Sequence, residues 1–392
     1  MKLILKMKCK KIVKKAEEFK LKRLKVILMV AASALLLVAC GSSNNKSAGT
    51  TSNKNTQLTG QAGGKNYQGV IKDGHYQTSK SRGVDIQQND NQFNLKGFQN
   101  GLLGISKQNF STNKYVFQEG QYISTDTTEK WLDRKSKQNP EGLNPSQQKG
   151  KVTPMYLQQI DEQDFLVPDG NKTTMKGMTI GLGINSVYYY TKQKYGSQYQ
   201  QKIPDDVVEK QGKEMANTIL KRLRQNKELK NIPIVIALYK QAPNDSLTGG
   251  NFFASSVNNS GTTSVNSWKP INEKSYVFPI ADGSKGPNTN DLSAFNQFKS
   301  QIQNFFPNLS GITAQAQYKG KQLQGMHINI TTQFYSQTEI ISFTQYLQNA
   351  AQKYLPANVP IDITVKSTDG IQSFLNRNSG GKTFSSHVFN SY

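Results

Sequence analysis

GMTIGLGINSVYYY (177–190) and GMHINITTQFY (325–335) carry one pattern twice in a chain of 392 residues. After each Gly-Met pair, apolar residues fall at every second position. They are Met178, Ile180, Leu182 and Ile184 in the first copy, and Met326, Ile328 and Ile330 in the second. Successive strand side chains point to opposite faces, so the alternation predicts half-buried strands. Upstream lie VTPMYLQQIDEQDFLV (152–167) with the turn Pro168-Asp169-Gly170, and GITAQAQYKG (311–320), so each strand is the second arm of a hairpin. Downstream, Pro204-Asp205-Asp206 opens a helix with an apolar stripe at Val207, Met215, Ile219, Leu220 and Leu223. Its counterpart runs from about Ser336, with Ile340, Ile341, Phe343, Tyr346, Leu347 and Ala350 inward. Each helix leads to a near-continuous apolar strand, IPIVIALYK (232–240) or VPIDITVKS (359–367), and Ile232-Pro233-Ile234 matches Val359-Pro360-Ile361. A strand entered through a crossover helix pairs in parallel, and hairpin arms pair antiparallel. The expected fold is α+β, with two related strand–strand–helix–strand units and mixed sheets.

Those units occupy 151–240 and 291–392, the second with an extra helix at its start. Between them, 241–290 is rich in Gly, Ser, Asn and Pro and reads as a long loop insertion. Its aromatics Phe252, Phe253, Trp268 and Tyr276 are candidates for lining a glycan or peptide groove; pinning the loop to the core is the favoured alternative. Residues 67–150 read as a helical and irregular region preceding the units. Phe93, Leu95, Phe98, Leu102, Leu103 and Ile105 recur at near-helical spacing, and a short helix is expected at 128–137 with Trp131 and Leu132 inward.

The N-terminus has a different logic. The first 25 residues hold 11 Lys or Arg against Glu17 and Glu18. VILMVAASALLLVA (26–39) follows, polar only at Ser33 and too short to span a membrane, which takes about 20 apolar residues. Basic flank and short apolar core together predict an export signal over 1–39. It ends in Leu37-Val38-Ala39-Cys40, which resembles a bacterial lipobox. That resemblance implies diacylglycerol on the Cys40 thiol, cleavage between Ala39 and Cys40, and a diacylglyceryl transferase and type II signal peptidase as maturation partners. The mature chain would be anchored to the outer leaflet of the cytoplasmic membrane, facing outward. Residues 40–66, whose apolar residues after Cys40 are Leu58 and two Ala, read as a flexible tether.

The formal net charge is +23. For an exported chain the matching counter-charges are lipid headgroups and anionic wall polymers rather than nucleic acid. The other cysteine, Cys9, lies in the basic segment, so no disulfide or cysteine metal cluster is expected after cleavage. His75, His327 and His387 are far apart and fit no metal-ligand spacing. Asp161, Glu162 and Asp164 suggest glycosidase carboxylates only weakly, because neighbours on a strand face opposite ways. No cofactor and no catalytic residue is expected, and the reading is non-enzymatic.

Extended stretches carry a wider resemblance: HYQTSKSRGVDIQQNDNQFNLKGFQNGLLGISKQNFSTNKYVFQEGQYIS (75–124), EKWLDRK (129–135) with EGLNP (141–145), MTIGLGINSVYYY, and IPIVIALYKQAPNDSLTGGNF (232–252). They resemble the CamS family of sex-pheromone lipoproteins of Gram-positive bacteria. The resemblance implies that the clipped signal yields a short hydrophobic peptide sensed by recipient cells. Here it would be Ser33-Ala34-Leu35-Leu36-Leu37-Val38-Ala39. The alternative function is an extracellular binding lipoprotein for a wall polymer, glycan or peptide.

Overall fold

A six-stranded sheet is built twice, with the same strand order, from consecutive parts of the chain. The computed structural model describes residues 56–61, 66–84, 94–259, 261–281, 284–287, 290–305 and 309–390. A small antiparallel sheet, β1 (Gln57–Leu58), β2 (Val70–Lys72) and β3 (His75–Tyr76), is followed by helix α1 (Leu95–Lys107). The first repeat then runs β4 (Val116–Glu119), α2 (Thr125–Leu132), β5 (Leu157–Asp169), β6 (Lys172–Ile184), the hairpin β7 (Val187–Thr191) and β8 (Gln198–Lys202), α3 (Asp205–Leu223), β9 (Ile234–Lys240), β10 (Asn251–Asn258) and β11 (Lys269–Pro270). The second runs β12 (Glu273–Phe278), α4 (Asp291–Phe305), β13 (Leu309–Lys319), β14 (Gln322–Thr332), α5 (Gln337–Tyr354), β15 (Ile361–Ser367), β16 (Gly370–Arg377) and β17 (Ser385–Val388).

The sheets are ordered β4-β5-β6-β9-β10-β11 and β12-β13-β14-β15-β16-β17. In each, the one parallel pair is the pair flanking the crossover helix, β6 with β9 and β14 with β15. The repeated Gly-Met and Pro positions make the same bond: Met178 N–H donates to the Pro233 carbonyl, and Met326 N–H to the Pro360 carbonyl, both at 3.1 Å. The hairpin β7–β8 has no counterpart in the second repeat.

Four expectations are corrected. The stretch 241–290 is not a loop insertion, because β10 and β11 complete the first sheet and β12 begins the second. Its inward residues include Ser256 and Asn258, so an alternating strand carries no hydrophobic signature. The region 67–150 is not a helical layer ahead of the fold: β4 is an edge strand of the first sheet, and α1 packs on that sheet. Helix α2 starts earlier than expected because Ser124 caps it, accepting the Thr127 N–H at 3.2 Å, and the chain turns extended at Asp133. The tether is shorter than 40–66, since Gln57–Leu58 pairs with β2 and Leu58 packs against Val70 and Leu166.

The two sheets differ in cover. On the first, α3 buries Met215, Ile219 and Leu223 against Ile180, Leu182, Ile234 and Ile236. On the opposite face, α1 buries Phe98, Leu102 and Ile105 against Val235, Ala237, Tyr239 and Phe252. Close approach there requires glycine: a Cβ would lie 2.2 Å from the Phe110 ring at Gly177 and 2.7 Å from the Phe98 ring at Gly181. On the second sheet, α4 and α5 cover one face through Phe295, Phe298, Phe343 and Leu347. The other face carries Thr313, Gln315, Gln317, His327, Asn329 and Asp362, all exposed or half-buried. Where β6 has Gly177, Thr179 and Gly181, β14 has Gly325, His327 and Asn329.

Candidate functional site

The start of α1, the turn before β10 and the open face of the second sheet enclose a cleft of about 560 Å³. Both repeats lie within one compact body, Asn53–Tyr392. Asn94 caps α1, its Oδ1 accepting the Gly97 N–H at 2.8 Å, so Lys96 and Asn100 border the cleft from the first turns of the helix. Gly249 has φ +74 and leaves no room for a Cβ, which would lie 2.7 Å from the Asn94 Cβ. The next residue, Gly250, donates its N–H to the Tyr239 hydroxyl at 2.8 Å. Burial pushes that hydroxyl up to about 12, so it stays protonated. Phe252 closes the base, its ring stacked on Phe98 at 5.3 Å.

Hydrogen bonds hold the second repeat across this base. Ser275 Oγ donates to Asn251 Oδ1 at 2.7 Å, and Gln315 Nε2 donates to the Leu247 carbonyl at 3.2 Å. Glu273, on β12, is half-buried; burial raises its carboxyl, opposed by the Lys319 charge and by a hydrogen bond from the Phe252 N–H. Gln315 pairs with His327 and His327 with Asp362 in the strand register, so the three form one row across β13, β14 and β15. The side chains of Lys96, Asn100, Gln317, His327 and Asp362 make no hydrogen bond or ion pair among the described residues. They are groups able to bind, facing a cleft in the size range of small-molecule sites.

The sequence candidates fare differently. Phe252 reaches the cleft only as its buried base. Phe253 and Trp268 pack against the first core, and Tyr276 against the second, its ring 5.5 Å from Tyr318. All four rings pack into or against a core, and of them Phe252 also lines the cleft. Residues 33–39 and Cys40 lie outside the described residues.

The acid cluster on β5 is structural. Glu162 and Asp164 share one face and are buried, and burial raises both carboxyls. Glu162 accepts the N–H groups of Gln121 at 3.0 Å, Tyr122 at 3.0 Å and Ile123 at 2.7 Å. Asp164 accepts Gln121 N–H at 3.0 Å. A pair consumed in holding this loop away from solvent has no access to a substrate. Among the described residues, no three His, Cys, Asp or Glu are grouped to hold a metal, and no helix is long and apolar enough to cross a membrane.

Residues 76–383 match the model of the CamS sex pheromone cAM373 precursor family. The chain belongs to the CamS family. Solved structures similar to it include two sex pheromone precursors. A sex pheromone precursor from Lactobacillus salivarius subsp. salivarius is 50% identical, with TM-score 0.81, covering 86% of this chain and 100% of its own. The C-terminal domain of the sex pheromone staph-cAM373 precursor from Staphylococcus aureus is 33% identical, with TM-score 0.66, covering 76% of this chain and 96% of its own. No curated protein sequence matches. The α+β architecture expected from the repeated phrases is therefore that of CamS precursor domains.

Of the cleft residues, the sequence singled out Phe252, as a loop aromatic, and His327, as a histidine outside any ligand spacing; the others drew no attention. The available signal was the exchange between copies, Gly-x-Thr-x-Gly on β6 against Gly-x-His-x-Asn on β14. It marks which copy is covered and which is open.

Proposed function

We propose that this CamS chain is a non-enzymatic precursor with two products. One is a hydrophobic peptide ending at Ala39, drawn from residues 33–39. The other is a lipoprotein held through acylated Cys40 on the outer leaflet of the cytoplasmic membrane. The observation that carries the reading is membership of a pheromone precursor family in a chain whose apolar run stops at Leu-Val-Ala-Cys. A diacylated residue anchors stably, whereas a single short chain is marginal. The peptide has no charged side chain, which suits passage through membranes and capture in an apolar pocket. Mass spectrometry of culture supernatant and membrane fraction tests both halves. The expected result is a peptide ending at Ala39 outside the cells and acylated Cys40 in the membrane. An intact, unacylated N-terminus on the cell-associated protein would overturn the reading.

A second reading concerns the folded part, which the peptide does not require. The cleft and its five unpartnered polar side chains favour an extracellular ligand-binding domain. Anionic wall polymers have a different place to meet the chain. The β7–β8 hairpin carries Lys192, Lys194 and Lys202 without a carboxylate, around stacked Tyr188, Tyr190 and Tyr199.

A further inference from the structure

We infer that the cleft between the repeats is a saccharide site, taking a short uncharged glycan segment of N-acetylated hexosamine type. The inference rests on the second reading above and names the ligand class.

The free groups of the cleft are of one kind. Asn100 and Gln317 offer planar amides, which give and accept hydrogen bonds in one plane and so match vicinal hydroxyls or an acetamido group. Asp362 adds a carboxylate acceptor and His327 a ring nitrogen. Gln315, His327 and Asp362 stand on adjacent strands, and strand spacing of about 4.8 Å sets them at intervals a sugar ring bridges. Pro360, half-buried just before β15, gives an apolar contact for a C–H face of the sugar.

The charge of the cleft argues against a polyanion. Lys96 stands with Asp362, and Glu273 has a carboxyl lifted by burial, so the lining does not share the basic character of a chain with net charge +23. A peptide fits less well, because the open face presents short polar side chains and no deep apolar pocket for a side-chain anchor. The copy-to-copy exchange supports a site rather than an unfilled packing position. The first sheet gives this face to α1, with Gly177 and Gly181 beneath the rings; the second keeps Gly325 but places His327 and Asn329 where the first has Thr179 and Gly181.

The test uses the full-length chain in a sugar-free zwitterionic detergent, titrated by calorimetry with chitotetraose, poly(glycerol phosphate) and a neutral hexapeptide. Chitotetraose is expected to bind. Asp362→Ala and Gln317→Ala are each expected to weaken it about ten-fold or more, the loss of a hydrogen bond to a sugar hydroxyl or amide. Both side chains are exposed, so melting temperatures should stay at the wild-type value. Tyr195→Ser, at a hairpin residue 92% exposed, should leave binding unchanged. Equal chitotetraose binding by wild type and both cleft variants would overturn the location. Binding of only the peptide or the phosphate polymer, lost in the cleft variants, would overturn the saccharide assignment and leave a binding domain standing. No binding by any of the three would overturn both.

Discussion

Phe98→Ala tests whether α1 is an integral layer of the first repeat. The Phe98 ring is fully buried, edge-on to Tyr239 at 5.0 Å and stacked on Phe252 at 5.3 Å. Below it lies Gly181, which has no side chain to move into the space. Truncation therefore loses the transfer energy of the ring and leaves a cavity that relaxes poorly, so a cost of about 3–5 kcal/mol is expected. For a cooperative unit of this size, that lowers the melting temperature by roughly 6–20 °C. Trp131 and Trp268 are the two tryptophans of the chain, and both pack in the first repeat. Tryptophan fluorescence thus follows the first repeat while far-UV circular dichroism follows both. Urea unfolding of wild type, Phe98→Leu and Phe98→Ala should rank in that order of stability. A loss below about 1 kcal/mol for Phe98→Ala would refute the reasoning, since a helix merely resting on the sheet can detach at little cost.

Other outcomes follow from single features. Glu162 and Asp164 both titrate above the ordinary carboxylate range because they are buried, so the native state holds protons the unfolded chain releases. Their contribution to stability is present at acidic pH, below the unfolded carboxyl range, and is lost as pH rises towards the folded values. Asp164→Asn keeps the shape without the charge; it should melt above wild type at pH 8, with the gap closing towards pH 4, and a gap that widens on acidification would reject this. Arg224 donates to the Leu229 and Ile232 carbonyls and to Asn258, so Arg224→Ala should cost about 2–4 kcal/mol in urea unfolding by leaving buried acceptors unmet; a cost under about 0.5 kcal/mol would show that water replaces it. Removing residues through 55 should leave the melting temperature unchanged, whereas extending the deletion through Leu58 should lower it by removing β1. Equal melting points would mean that the strand contributes nothing.

The repeated core was legible because its positions follow two simple periods. Alternation at 178–184 and 326–330 marked strands, the stripes on α3 and α5 marked crossover helices, and the Pro before each parallel strand fixed the correspondence. The strand β10 was not legible because its buried positions are partly polar. Ser256 Oγ donates to the Ser267 carbonyl and Asn258 receives Arg224, so hydrogen bonding replaces the apolar pattern. A buried polar group with partners costs little, but it leaves no hydrophobic trace in the sequence. The cleft was less legible still. Asn94, Asn251, Gln317 and Asp362 lie far apart along the chain, and none is unusual alone; only the pairing of the two sheets brings them together. The acids on β5 drew attention by type, and the loop at 121–123 that explains them is remote in sequence.

The placement of α1 sets an order of assembly. Phe98 precedes in the chain every strand it covers, and its partners Val235, Tyr239 and Phe252 come from β9 and β10. Until those strands are made and delivered, the helix has an apolar stripe with nothing beneath it. The second repeat has no such debt, since its six strands and two helices follow one another without a gap in the sequence. A chain made N-terminus first therefore exposes this helix longest, because long-range contacts wait for loop closure. A chain stopped before Ile234 would hold this helix without the β9 part of its floor, and one stopped before Asn251 would still lack Phe252.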